Sequence, residues 1–449
     1  ALVCKISVSD SGQVGAFEFV EAIVRSRAKL SYFAVDRYLN GHGDDLMSHA
    51  TPLEALYQVY RALRAQREAS ELVMEDRREY RWILGEDKQI AEVDGYDKLA
   101  SQHLVEECMI AANKCAAIFL RDAAAPGPFV VHQGFRADRT EEAATFLEKH
   151  RADLKDTPLN TLEGYRAILS DLGQKTHELP LRDMVNRLLS RAVLSDQAGP
   201  HMGLATEIYT NFTSPLRKAL DFFVHLQISA CLAGEKTAHY PVDQLPVITR
   251  AIGRSREAVA AANRRLTARY LKKLKADGQT RFAGKISHIT SSGFTVKLDD
   301  NGLEGLVDLR PEDEKFSFDK WTMSLTSATR RFQLKQSVEV DFTDAPAESD
   351  FLALFKLTEG CGLKPQKETP AEAFAKTIAR ATTTSGQQVA PESAATPHTD
   401  SSPEVAAASE SQPESTAEDE AKSEAKIEDA GEAPAPSESD SAASLTTPQ

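Results

Sequence analysis

Near residue 280 the apolar residues of this chain stop recurring every three or four positions and begin to alternate, and that change admits few folds. Upstream, stretches such as 53–63 and 106–120 carry the spacing of helices that bury one face. Downstream, Arg281-Phe282-Ala283-Gly284-Lys285-Ile286, Gly293-Phe294-Thr295-Val296-Lys297-Leu298 and Leu303-Glu304-Gly305-Leu306-Val307-Asp308-Leu309 read as short strands, followed by two more over 337–342 and 351–356. Short alternating strands with glycine at the bends predict a small closed β-barrel. The fold class expected is therefore α+β: a sheet with surrounding helices over residues 1–278, then the barrel over 279–360.

A second break is compositional. From about residue 366 to 449 the chain is mostly Ala, Ser, Thr, Pro and Glu, which cannot bury enough apolar surface to offset ordering entropy, so a disordered acidic tail is expected. From Lys367 onward there are 5 basic and 16 acidic residues, net −11 of the formal −14, which leaves the body at −3. The acidic balance is a property of the tail and does not exclude a locally basic groove. Five cysteines, an odd number with no Cys-x-x-Cys pair, suit a reduced, cytoplasmic protein. No apolar run is long enough to cross a bilayer, and no signal peptide opens the chain. Residues 1–9 and 16–24 read as two strands around an Asp10-Ser11-Gly12 turn; a sheet that begins mid-stride suggests a fragment or a processed piece.

The most distinctive local pattern lies between Gly199 and His225: Gly-Pro-His-Met-Gly-Leu-Ala, then Tyr209, then Thr213-Ser214-Pro215-Leu216-Arg217-Lys218. Pro215 holds Ser214 extended and suits a first helical turn, with Thr213 or Ser214 free to cap it. Arg217 and Lys218 then fall where unpaired N–H groups and the helix dipole favour an anion, and a guanidinium can grip a phosphate with a fork of donors. Asp221 and His225 follow at four-residue steps on the same predicted helix face. An ordinary capped helix with an Arg–Asp pair is the plainer alternative.

Elsewhere the chain offers helices and scattered candidates. Thr51-Pro52-Leu53-Glu54 resembles a capping box, and residues 140–150, 161–172 and 179–194 have helical periodicity. Glu107 and Asn113 are polar positions in a helix whose Ala111, Ala112, Ala116 and Ala117 permit close approach. Residues 242–276 predict a long helix, broken or bent near Gly253, with nine basic residues between Arg250 and Lys275. Such a run is either a solvated face or a wall that tracks phosphates. Asp44 and Asp45 have no neighbouring oxygen ligands and carry no metal assignment.

These motifs together resemble the ribonuclease II / ribonuclease R (RNB) family, from Ala1 to about Lys356. The segment Ala28-Lys29-Leu30-Ser31-Tyr32 is similar to the stretch that places an aromatic ring against a base, and Val131-His132-Gln133-Gly134-Phe135 to a second one. The resemblance implies 3′-to-5′ exoribonuclease activity releasing nucleoside 5′-monophosphates, with Arg217 at the scissile phosphate, Tyr32 and Phe135 clamping the terminal bases, and His132 and Lys218 as further RNA contacts. The barrel's Gly-x-Ile … Gly-Phe-x-Val-x-Leu … Gly-Leu-Val-x-Leu pattern is similar to an S1 RNA-binding domain. That implies exposed rings at Phe282 and Phe294 with Lys285 and Lys297 beside them, the mix that single-stranded nucleic acid needs. The implied partner is single-stranded RNA, the implied cofactor Mg2+, and a monomer is expected. The family's metal-holding aspartates lie upstream of the region matching Ala1, and no such run occurs in this body. The resemblance therefore implies that the chain as given binds RNA without cleaving it. A catalytically inactive RNA-binding protein of the same ancestry is the alternative function. Ala219 and Leu220 stand where the family usually has an aromatic residue.

Overall fold

The computed structural model describes residues 1–363 apart from 43–45, 74–75, 77 and 345–350. The chain divides into a unit Ala1–Glu368 and a unit Thr369–Gln449. Asp44, Asp45 and the tail expected from residue 366 lie outside the described residues.

The chain opens with an antiparallel hairpin, β1 (Leu2–Val8) and β2 (Val14–Glu21). Its turn uses Gly12 at φ +78°, where an added Cβ would strike the Ala62 carbonyl. Next come α1 (Tyr32–Leu39), α2 (Ala50–Ser70), a second hairpin β3 (Glu79–Leu84) and β4 (Ile90–Tyr96), and α3 (Ala100–Asp122). The Thr51 capping box does not form, because α2 grows directly out of a 3-10 turn at Met47–His49. Helix α3 buries Leu104, Ala111, Cys115, Ala116, Ala117 and Leu120; the small side chains allow β1, β2 and a later helix to close on it.

Strand β5 (Phe129–Val131) follows, then α4 (Thr140–His150) and α5 (Leu162–Leu172), which lie where periodicity predicts them. Helix α5 is capped by Thr161 and buries Tyr165, Ile168, Leu169 and Leu172, one face at helical spacing. The helix expected over 179–194 is instead a short α6 (Leu181–Val185), a 3-10 turn and strand β6 (Val193–Ser195), which pairs with β5. The pairing takes up backbone groups that a longer helix would have used. Helix α7 (Ala219–Leu232) and α8 (Leu245–Ala276) complete the helical part. Helix α8 runs unbroken through Gly253, which has nothing near its Cα face to push the helix apart.

The expected barrel is present. Strands β7 (Arg281–Thr290), β8 (Gly293–Leu298) and β9 (Glu304–Asp308) are joined in it by β13 (Ser337–Thr343) and β14 (Leu354–Leu357). A small three-stranded sheet, β10 (Ser317–Asp319), β11 (Ser324–Thr326) and β12 (Arg331–Gln333), is inserted between β9 and β13. One apolar cluster is continuous from α4, α5 and α6 into the barrel, through Phe146, Tyr165, Leu169, Phe294, Leu325 and Phe332. The barrel is thus fused to the helical body.

Candidate nucleic-acid interface

Residues 199–215 run beside β5 and are fixed from below by α3. The Val130 amide donates to the Tyr209 carbonyl (2.9 Å), and the Thr210 hydroxyl donates to the Pro128 carbonyl (2.6 Å). Asn113 of α3 donates to the Tyr209 hydroxyl and accepts from the Phe212 amide, both at 2.8 Å. From above, α7 repeats the device. Fully buried Asp221 accepts from the Ser214 amide (2.8 Å), while His225 hydrogen-bonds the Phe212 carbonyl (2.8 Å) and stacks on its ring at 4.5 Å. A buried carboxylate on a loop amide is a strong, directional tie.

This frame carries Arg217, although not as expected. Residues 215–217 form a turn closed by the Arg217 and Lys218 amides on the Ser214 carbonyl (3.2 and 3.1 Å), and α7 begins only at Ala219 with Lys218 as its N-cap. Arg217 and Lys218 therefore precede the helix instead of occupying its first turn. Asp221 and His225 do not flank Arg217 but lock the loop behind it. Both cations are exposed and, among the described residues, neither side chain has a hydrogen-bond or ion-pair partner. A guanidinium on a rigid loop with its donors unspent is suited to an anionic ligand.

The other candidate residues separate into exposed and buried sets. Tyr32 opens α1 with its ring 48 % exposed, next to Phe33 at 65 %. Its carbonyl accepts from the Ser101 hydroxyl (2.8 Å), which seats it on α3. Phe135 is 6 % exposed, set edge-on to Tyr165 with ring centres 5.5 Å apart. It is a core residue, and the clamp of two rings is corrected to one accessible ring. Tyr165 of α5 covers the ring, and Gly134 at φ +79° supplies the left-handed turn just before it.

His132 is also committed. Its Nδ1 accepts from the amides of Gly134 (3.2 Å) and Gly203 (3.1 Å), so its Nε2 carries the proton donated to the Ser190 carbonyl (3.1 Å). Both nitrogens are used, and burial pushes its pKa below the ordinary imidazole value, so it holds the loop and offers nothing to a phosphate. His201 stacks on it at 5.5 Å, and burial together with that neighbour pushes its pKa down to about 4.

On the barrel the expectation of exposed rings is overturned. Phe282 and Phe294 are 4 % and 1 % exposed and fill the interior with Ile286, Val296 and Leu298. Lys285 and Lys297 are cross-strand partners on the outer face. Residues three apart in a strand point to opposite faces, so lysines outside require rings inside. Lys297 lies over the Tyr80 ring at 5.1 Å and, with Ser287, Thr295 and Lys335, lines a cavity of about 1330 Å³. The cavity's other wall includes Arg64, Arg78, Leu172 and Arg182. Its acidic and basic side chains are equal in number, so net charge alone does not select a polyanion. Neither this cavity nor a second one beside α3 is lined by Tyr32, Phe135 or Arg217.

Two features were not anticipated from sequence. Arg67, 7 % exposed, pairs with buried Glu107 at 2.6 Å, and Lys114 pairs with Glu71 beside it. Arg67 follows Leu53, Tyr60 and Leu63 at helical spacing, and a cation on the apolar face was the available signal. On α8, Arg269, Lys273 and Lys275 are spent on Gln89, the Ile90 carbonyl and Asp344. Arg250, Arg254, Arg256, Arg264 and Arg265 are exposed and unpaired among the described residues.

As for metal, among the described residues no three His, Cys, Asp or Glu side chains converge as a metal site would require. The carboxylate oxygens of Glu71 and Glu107 that accept no hydrogen bond sit among Arg64, Arg67 and Lys114 and are already neutralised. The described residues do not fit a magnesium pair.

The RNB domain family model matches residues 1–234. Exoribonuclease 2 of Yersinia enterocolitica is 35 % identical over 314 residues, covering 68 % of this chain and 48 % of that protein. Exoribonuclease 2 of Cronobacter sakazakii is 34 % identical over 312 residues, with the same shares. In structure, the apo form of Mycoplasma genitalium RNase R superposes with a TM-score of 0.65 at 20 % identity, covering 80 % of this chain and 57 % of that one. The same enzyme is also known in complex with ribose-methylated single-stranded RNA. This chain spans about half the length of the curated relatives it matches. With the loop, its two-sided frame and the matched span together, the chain belongs to the RNB domain family.

Proposed function

We propose that this chain is the RNA-gripping portion of a ribonuclease II-type 3′-to-5′ exoribonuclease, and that as given it binds single-stranded RNA without hydrolysing it. The observation that carries this is Arg217, exposed and without a side-chain partner among the described residues, on a loop pinned from both sides by Asn113, Asp221 and His225. Supporting it are the exposed ring of Tyr32 and the α8 arginines that have no partner among the described residues. At 3.6 residues per turn, Arg250, Arg254, Arg264 and Arg265 fall within an arc of about 100° and a length of about 22 Å. A backbone-tracking wall needs that geometry.

The barrel is read as an S1-type module whose Lys285 and Lys297 face contacts RNA electrostatically and not by stacking. Phosphodiester hydrolysis to 5′-monophosphates needs Mg2+ carboxylates from outside the described residues. A monomer in the cytoplasm completes the reading.

Fluorescence anisotropy with labelled oligo-A tests it, with product analysis in magnesium. Salt-sensitive binding and no nucleotide release are expected. Metal-dependent release of monophosphates would instead make this chain a complete enzyme, and absence of salt-sensitive binding would remove the RNA role.

A further inference from the structure

Helix α7 is apolar on both sides. Its inner face buries Leu220, Val224, Ile228 and Ala230, while Phe222, Leu226 and Leu232 on the outside are exposed. Solvent-facing helix positions are ordinarily polar, so a row of apolar ones rimmed by charge marks a surface that takes a ligand.

The row begins at the cations of the pinned loop. Leu216, next to Arg217, is fully exposed. The Phe222 amide donates to the Lys218 carbonyl at 3.2 Å, which carries the helical path back to Lys218. Lys218, Phe222 and Leu226 therefore follow one another at four-residue steps on one line of the surface, about 12 Å from first to last. Further along α7 the Ser229 hydroxyl donates to Glu21 at 3.0 Å and seats the end of β2 there. Exposed Ile23 and Val24 come next in that strand's chain, then Arg25 and Arg27, which are exposed and have no partner among the described residues. Apolar surface thus lies next to cations at both of its ends.

We propose that Leu216, Phe222 and Leu226 form a ledge that seats nucleobases while Arg217 and Lys218 hold the phosphates between them. The inference rests on the RNA reading above and adds which part of each nucleotide goes where. A nucleotide strand presents this same alternation, an anion and then a flat apolar face. The occupant is a single strand, because a duplex stacks its base faces on one another and leaves only edges and phosphates to a protein. A ring and two aliphatic side chains accept any base, so the ledge holds RNA without reading its sequence.

Fluorescence anisotropy of the full chain, with labelled oligo-A and with an abasic oligoribonucleotide of the same length, tests this. Phe222→Ala is expected to weaken oligo-A binding by about 5- to 150-fold and to leave abasic binding unchanged. Phe222→Trp restores the oligo-A affinity, and Arg217→Ala weakens both probes. Leu216 has no packing to lose, so Leu216→Ala decides the matter should Phe222→Ala not fold; it gives a smaller loss, again confined to oligo-A. A wild-type chain that binds neither probe removes the RNA reading and the ledge with it. Oligo-A affinity unchanged in both alanine variants, or equal losses on the two probes, removes the ledge alone. A wild-type dimer in light scattering that Phe222→Ala dissociates, with RNA affinity unchanged, makes this face a contact between copies and also overturns the proposal.

Discussion

At the scale of single residues, two aromatic rings that the family resemblance pairs as a clamp separate by exposure. Tyr32 presents its ring to solvent, and Phe135 spends its ring on Tyr165. Tyr32→Ala is expected to weaken oligo-A binding by about 1–3 kcal/mol and leave the melting curve in place. Phe135→Ala is expected to do the reverse: about 3–5 kcal/mol off stability in urea, with unchanged affinity in the protein that remains folded. A loss of affinity for Phe135→Ala at full folding would restore it as a contact residue. Arg217→Ala should leave stability within about 0.5 kcal/mol, because an exposed, unpaired side chain removes no native contact. In a complete enzyme, the same change should reduce turnover far more than RNA affinity; equal losses in kcat and in binding would place Arg217 away from the reacting phosphate.

Elements set the charge and pH behaviour. If the arginine face of α8 tracks a strand, Arg250→Ala, Arg254→Ala and Arg265→Ala together flatten the plot of log affinity against log salt by about 2, near 0.7 per phosphate contact. An unchanged slope would leave that face as solvated helix. The loop after β5 has the opposite sensitivity. His132 and His201 are both neutral in the fold, and burial holds both below the ordinary imidazole value, His201 at about 4. The unfolded chain takes up these protons near pH 6.5 while the folded chain refuses them. Stability is therefore full above about pH 6.5 and falls as pH drops toward 4, on the order of 3 kcal/mol from His201 alone. Urea unfolding at pH 7.5 and 4.5 checks this against His201→Gln, whose loss across the same interval should be smaller by that amount. Equal losses in both proteins would mean that His201 does not carry the effect.

For the whole molecule, the joint between helical body and barrel is as consequential as either part. Glu142 of α4 accepts from Arg187 (2.7 Å), Arg139 (2.8 Å) and Lys320 (3.1 Å), the last from the sheet inserted in the barrel region. These cations, Arg187 first, hold its carboxyl down to about 2. Alongside, His150 hydrogen-bonds the Trp321 carbonyl at 2.8 Å. A carboxyl with a depressed pKa contributes stability above its unfolded value near 4.5, and that contribution disappears as pH falls toward 2. Glu142→Gln should cost about 1–3 kcal/mol at pH 7, and the two proteins should converge near pH 2. Denaturant unfolding across that range measures both, and a gap that persists at pH 2 would assign the loss to something other than the charge. The joint also explains why the barrel's lysine face borders a cavity shared with the body.

Period alone determined most of the elements. Residues 140–150 and 162–172 have apolar positions at helical spacing, and the barrel strands alternate, so each declares its form locally. The same alternation puts Phe282 and Phe294 on the face opposite Lys285 and Lys297, so the exposed rings that the resemblance implied were at odds with the strand period. The RNB membership was likewise carried by order and spacing of residues along the chain. What the sequence could not decide was where partners from distant elements arrive. The loop of Arg217 is held by bonds reaching from residues 113, 221 and 225 to 212 and 214, and Phe135 is buried because α5 brings Tyr165 across it. A side chain's exposure and protonation depend on the groups that tertiary packing sets around it, and a linear pattern contains only its neighbours in the chain.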